Sequence, residues 1–131
     1  RIAMQPGKPL IVGRLGQKII LGLPGNPVSA MVTGALFLLP LLRRLAGGND
    51  VLPQAMPTKL GADVPSVGKR TLFMRAVLAQ GIATPVAFQD SGAMQAASLA
   101  NALIIRPAGA PAAQAGDVVD VYTWSALGLS T

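Results

Sequence analysis

Apolar and polar positions alternate in two different textures along this chain. In the first, Leu10-Ile11-Val12-Gly13 and Lys18-Ile19-Ile20-Leu21 flank Arg14-Leu15-Gly16-Gln17, which predicts two short buried strands joined as a hairpin. The second strand runs into Gly22-Leu23-Pro24-Gly25-Asn26-Pro27-Val28-Ser29-Ala30, whose Pro, Gly and Asn forbid regular structure only briefly. This predicts a strand, a tight loop and a helix. Asn26 suits the N-cap, and Pro27 suits the first helical position, where its missing N–H is not needed. From Pro27 to about Leu45 the helix is apolar on nearly every side, so most of its surface has to be covered. Pro40 should disturb it by removing a backbone donor. Arg43 and Arg44 suit the negative end of its dipole, and Gly47-Gly48 should end it.

From Val51 the texture changes to short apolar stretches punctuated by Pro53, Pro57, Gly61, Pro65 and Gly68. Thr71–Leu78 reads as a strand, Gln80-Gly81 as a turn and Thr84–Phe88 as the partner strand. Ala93–Ala100 reads as a short helix introduced by Ser91-Gly92. Asn101 leads into a strand over Ala102–Arg106, and Gly116-Asp117 turns into a last strand, Val118–Trp124. Several short strands and one short helix in this span predict a small barrel or compact sheet. The fold class is thus an α/β segment (hairpin, loop, long helix) over residues 1–49, followed by a small β-rich, barrel-like domain over residues 50–131.

Composition narrows the chemistry. The 131 residues are 51% hydrophobic, enough for a core, but only 4% aromatic, and they include no cysteine and no histidine. Disulfides, zinc-finger ligands, a cysteine nucleophile and histidine-based triads are excluded. Residues 1–49 hold six bases (Arg1, Lys8, Arg14, Lys18, Arg43, Arg44) and no acid, whereas residues 50–131 hold five bases and five aspartates. The net charge of +6 therefore belongs to the first unit, as suits a surface that faces anions or is simply solvated. Dispersed bases and few aromatics argue against nucleic acid. A membrane span is not expected, because the uncharged run from Pro27 to Leu42 is 16 residues, short of the ~20 that a bilayer needs.

The Pro24–Pro27 loop keeps two meanings. Free N–H groups in the first helical turn and the positive dipole end would favour an oxyanion, yet a capped strand-to-helix turn needs no ligand. The chain opens on Arg1-Ile2-Ala3-Met4-Gln5, with no initiator methionine and no signal pattern. It reads as an excised piece of a cytoplasmic protein.

Pro6-Gly7-Lys8-Pro9, the Gly22–Ala30 motif, Ser91-Gly92-Ala93-Met94 and Ala100-Asn101-Ala102-Leu103-Ile104 occur in an order and spacing that resembles the MoeA family, the molybdopterin molybdenumtransferases, whose eukaryotic relatives include the gephyrin E domain. The long proline-rich motif carries most of the specificity. The resemblance covers nearly the whole chain and implies the C-terminal third of such a protein: residues 1–49 as the end of the molybdopterin-binding α/β domain, residues 50–131 as the C-terminal β-rich domain.

It also implies a reaction in which molybdate and adenylylated molybdopterin meet with Mg²⁺ present, the pterin–AMP link is hydrolysed and molybdenum is left on the dithiolene. On this resemblance Arg1 and Lys8 lie near the anion site, and Pro24, Gly25, Asn26 and Pro27 line it. Arg75 and Ser91 fall on cleft positions of the second unit. Read from the residues alone, Arg75 is equally well an exposed strand base and Ser91 an N-cap. Gln5 stands where many relatives carry lysine, and Asp90 where many carry glycine, which removes one positive charge and adds one negative. The acidic residues by which the family contacts metal and substrate lie upstream, so no catalytic or metal-ligating residue is assigned to this chain and a complete active site is not expected in it. The alternative is a non-catalytic interaction or structural module, as in the gephyrin E domain.

In the family the site lies in a dimer, and the N-terminal part of the enzyme covers the helix. The isolated chain should therefore cover Val32, Leu36, Leu39 and Leu42 by rearrangement or by self-association as a homodimer or larger oligomer. Light scattering at high concentration is expected to show an oligomer; a stable monomer would count against it.

Overall fold

The computed structural model describes residues 4–5, 11–16, 18–22, 34–49, 52–86 and 100–129. The predicted first turn of the long helix, residues 27–33, and the short helix predicted over residues 93–100, save Ala100, lie outside them.

In chain order the strands are β1 (Met4–Gln5), β2 (Ile11–Leu15), β3 (Lys18–Gly22), β4 (Met56–Leu60), β5 (Thr71–Ala79), β6 (Ile82–Pro85), β7 (Ala102–Arg106) and β8 (Val118–Thr123). β2 and β3 form the expected antiparallel hairpin, but Leu15 pairs with Lys18. The turn is therefore two residues long, and Arg14 and Leu15 belong to the strand. Gly16 supplies the positive φ that so short a connection needs, +62°.

The later strands close into a barrel. β4 pairs with β8, β8 with β7, β7 with β5 and β5 with β6, all antiparallel. A two-residue parallel pairing, Lys59 to Ile82 and Leu60 to Ala83, joins β6 back to β4. β1 adds alongside the start of β5, with Met4 opposite Thr71. The Gln80-Gly81 turn is found as predicted: both residues have positive φ, +52° and +77°, as a type I′ hairpin demands. β7 has the bounds expected from the sequence.

Strand periodicity divides the barrel residues between two apolar layers. Leu60, Val64, Met74, Ala76, Ala83, Ala102, Ile104, Val119 and Val121 fill the interior. Outside, Phe73, Leu103, Tyr122 and Trp124 pack with Leu127 and Leu129 and with the helical residues Ala35, Leu36 and Leu39. The Phe73 and Tyr122 rings stack with centroids 6.5 Å apart, a geometry that favours aromatic pairs.

The helix begins, among the described residues, as a π-helical turn over Gly34–Leu38 and continues as α1, Leu39–Leu45. The disturbance expected of Pro40 takes this form. A proline ring crowds the carbonyl four residues earlier, here Leu36, and a widened turn relieves that crowding and removes the need for the missing N–H. Gly47, at φ +94°, ends the helix. The Gly48 and Gly47 amides donate to the carbonyls of Arg43 and Arg44, each at 3.0 Å, the two bonds of a Schellman cap. No described helix is long and apolar enough to cross a membrane.

The expectation for the helix surface needs correction. Leu36 and Leu39 are covered by the chain's own barrel, whose outer apolar face was not anticipated. Leu42 and Leu45 stay exposed, at 51% and 69%, and Val32 lies outside the described residues.

At Gly61 the barrel wall leaves no room for a side chain. A Cβ there would overlap Thr84 Oγ1 and lie 2.9 Å from Ile82 Cγ2. Gly61→Ala is expected to lower the unfolding free energy by about 1–3 kcal/mol, read from urea denaturation.

Candidate functional site

Two arginines are buried in the barrel, on opposite sides of its wall. Arg106 continues the inward set Ala102, Ile104 on β7, and is 5% exposed. It closes one end of the barrel: its Nη2 donates to the carbonyl of Pro65 at 3.2 Å and to that of Pro111. Those prolines sit in two loops that already run along each other, with Val64 and Ala113 exchanging backbone bonds at 2.8 and 3.0 Å, and Val67 N–H donating to Ala110 at 2.9 Å. Asp63 accepts from the Ala115 amide at 2.9 Å, and Asp117 from the Gln114 amide at 2.8 Å. Arg106 is thus a strut between loops.

Arg75 alternates with Met74 and Ala76 on β5 and so stands on the outer side of the wall, opposite Leu103 in the ladder. It is nevertheless only 2% exposed and is among the largest fully buried side chains described. The exposed-base reading is therefore wrong. A cation so buried persists only with polar partners. Its own carbonyl accepts from the Val86 amide at 2.9 Å.

Of the other residues expected at the site, Arg1, Lys8, Pro24, Gly25, Asn26, Pro27 and Ser91 lie outside the described residues, as does Asp90, so the structure does not bring the set together. Asn101 was read as the entry to a strand and as part of the Ala100–Ile104 segment, with no role of its own. Its carboxamide instead accepts from Leu78 N–H at 2.6 Å and donates to Leu78 C=O at 3.0 Å. A sequence signal existed for Arg106, which falls on the inward beat of β7; for Asn101 the signal was its place in the Ala100–Ile104 segment, which gave no hint of its hydrogen bonds.

A shallow hollow of about 260 Å³ lies elsewhere, between Pro57, Thr58, Lys59, Gly81 and Val118. With one cation and largely apolar walls, it lacks the convergent charges that an anionic substrate would require. For Mg²⁺, no group of three or more potential ligands occurs among the described residues, and the Asp63 and Asp117 carboxylates are engaged by backbone amides. The described residues do not fit a metal seat.

Residues 57–124, which comprise the barrel, match the family model described as MoeA C-terminal region (domain IV). The chain belongs to the MoeA family. Molybdopterin molybdenumtransferases of Staphylococcus aureus (strain COL) and Staphylococcus epidermidis are 31% and 34% identical to it over 125 and 129 residues. Each alignment covers 92% of this chain and 30% of the relative, so the chain spans about a third of the relatives' length. Among solved structures, the Pyrococcus horikoshii molybdopterin biosynthesis MoeA protein superposes with a TM-score of 0.75 at 30% identity, over 94% of this chain and 30% of that one. A Pyrococcus furiosus molybdenum cofactor biosynthesis protein gives 0.75 at 26%, over 92% and 43%. The small β-rich barrel of this chain is the MoeA domain IV barrel.

Removing the strut should be costly, because the carbonyls of Pro65 and Pro111 lose a charged donor. Arg106→Met is expected to lower the unfolding free energy by about 2–3 kcal/mol, read from denaturant midpoints at unchanged m-value.

Proposed function

We propose that this chain is the C-terminal portion of a molybdopterin molybdenumtransferase and supplies one wall of the cleft that takes adenylylated molybdopterin and molybdate. The observation that carries this is the match of the whole barrel to the family's C-terminal domain, in relatives named for that activity. The buried Arg75 supports it: a guanidinium in a low-dielectric layer acts on a nearby anion with little solvent screening. In this reading Arg75 is a fixed cation beneath the cleft. Lys8 and Arg1 would supply further positive charge to it, and the Pro24–Pro27 loop would offer the backbone N–H groups of Gly25 and Asn26. Molybdate is substrate, and the chemistry of adenylate release belongs to residues contributed from elsewhere in the enzyme, together with Mg²⁺. The proposed location is the cytoplasm. The proposed assembly is a dimer, for which the exposed Leu42 and Leu45 on α1 offer an apolar surface. The relatives named above give no support to a purely interaction-module reading.

The test is made in the full-length enzyme. Lys8→Ala and Arg75→Met, the latter keeping an apolar stem in the buried position, should each lower molybdate insertion about tenfold, equivalent to ~1.4 kcal/mol. Circular dichroism should show both variants folded. Full activity in both variants would remove Lys8 and Arg75 from the site.

A further inference from the structure

The register of β5 with β7 pairs Ala76 with Ala102, and two more residues along the same ladder would bring residue 100 opposite Leu78. The ladder stops at Ala102 instead. On its other side Leu78 faces β6 next to the Ala79–Ile82 closing pair of the hairpin, a position whose N–H and C=O point away from β6. Leu78 would therefore be left with an unused donor and an unused acceptor, both directed toward a strand that has ended.

The Asn101 carboxamide fills that place. It accepts from Leu78 N–H at 2.6 Å and donates to Leu78 C=O at 3.0 Å, the pattern of a paired strand residue made by a side chain. The backbone of Asn101 is tied at the same time: its N–H donates to Ala76 C=O at 3.0 Å, and its C=O accepts from Trp124 N–H at 2.9 Å. A few ladder steps away, Val86 N–H donates to Arg75 C=O. Val86 and Asn101 are thus tied to adjacent residues of β5, Arg75 and Ala76.

We propose that the Asn101 carboxamide is a positioning group for the anion cleft, tying Leu78 at the far end of β5 to the start of β7 so that Arg75 keeps a single setting beneath the bound anion. This inference rests on the reading of Arg75 given above. Asparagine suits the role because its carboxamide offers a donor and an acceptor on one planar group at the reach of a missing strand. Aspartate has no donor when ionised, and alanine has neither group. Asn101 does not touch substrate in this account; it acts through the strand that carries the cation.

The experiment uses the full-length enzyme with molybdate alone as probe. Three proteins are titrated calorimetrically: wild type, Arg75→Met and Asn101→Leu, the last keeping the size of the side chain without its hydrogen bonds. Hydrogen exchange at the Leu78 amide is followed in wild type with and without molybdate. The expected result is about tenfold weaker binding in Asn101→Leu, with Leu78 exchange in wild type slowed by saturating molybdate, since coupling between two sites is reciprocal. If Arg75→Met weakens binding while folded Asn101→Leu binds as wild type does, the positioning role is overturned and the cleft stands. If Arg75→Met binds normally, the cleft reading itself falls, and this inference with it. Should Asn101→Leu fail to fold, the wild-type exchange decides: a Leu78 amide indifferent to molybdate overturns the proposal, because a purely structural asparagine would show that behaviour.

Discussion

The structure depends on closing a five-stranded sheet with very little pairing at the seam. Four of the five strand junctions are antiparallel ladders of four or five residue pairs, but the fifth, between β4 and β6, has two. Closure removes the exposed edge that an open sheet would present, and it does so only if the two strands approach closely. Gly61 sits at that approach, directly after β4, where its amide donates to Ala83 C=O at 2.8 Å and its missing side chain leaves room for Thr84. The small interior residues Ala76, Ala83 and Ala102 follow from the same constraint, because a barrel of this size has space for few large side chains.

Closure also explains the pair of buried arginines. A barrel this small has open ends, and Arg106 spans one of them with donors that reach loop carbonyls on both sides. Arg75 answers to the other surface of the wall. It shares the outer face of β5 with Phe73, opposite Leu103, and is out of water without lying in the barrel core. One residue type thus serves as a strut on the inner face and as a buried charge on the outer one, and strand parity alone decides which.

Much of the fold was legible in the sequence because its signals were local. Gln80-Gly81 announced a two-residue hairpin, the run Ala102–Arg106 announced a strand, and Gly47-Gly48 announced the end of a helix; each is a backbone requirement met by adjacent residues. The parallel β4–β6 seam was not legible, since it joins residues more than twenty positions apart and leaves no periodic trace. The cover over Leu36 and Leu39 was missed for a related reason. The strands were read without assigning their faces, and Phe73, Leu103 and Tyr122 make the outer face apolar as well as the inner one. Of the site residues named through family resemblance, only Arg75 lies among the described residues. Its burial was not legible, because a lone arginine on a strand carries no sign of what will lie above it.

The outer layer has an optical consequence. The chain has one tryptophan and one tyrosine, and Trp124 and Tyr122 both lie in the seam between the barrel and the helix, whereas no aromatic ring is among the described residues of the barrel interior. Ultraviolet emission from this protein therefore views the docking of helix on barrel and is nearly blind to the barrel's own core. A loosened seam would register as a red shift even while every strand remained paired, and the intrinsic chromophores thus report on one interface rather than on folding as a whole.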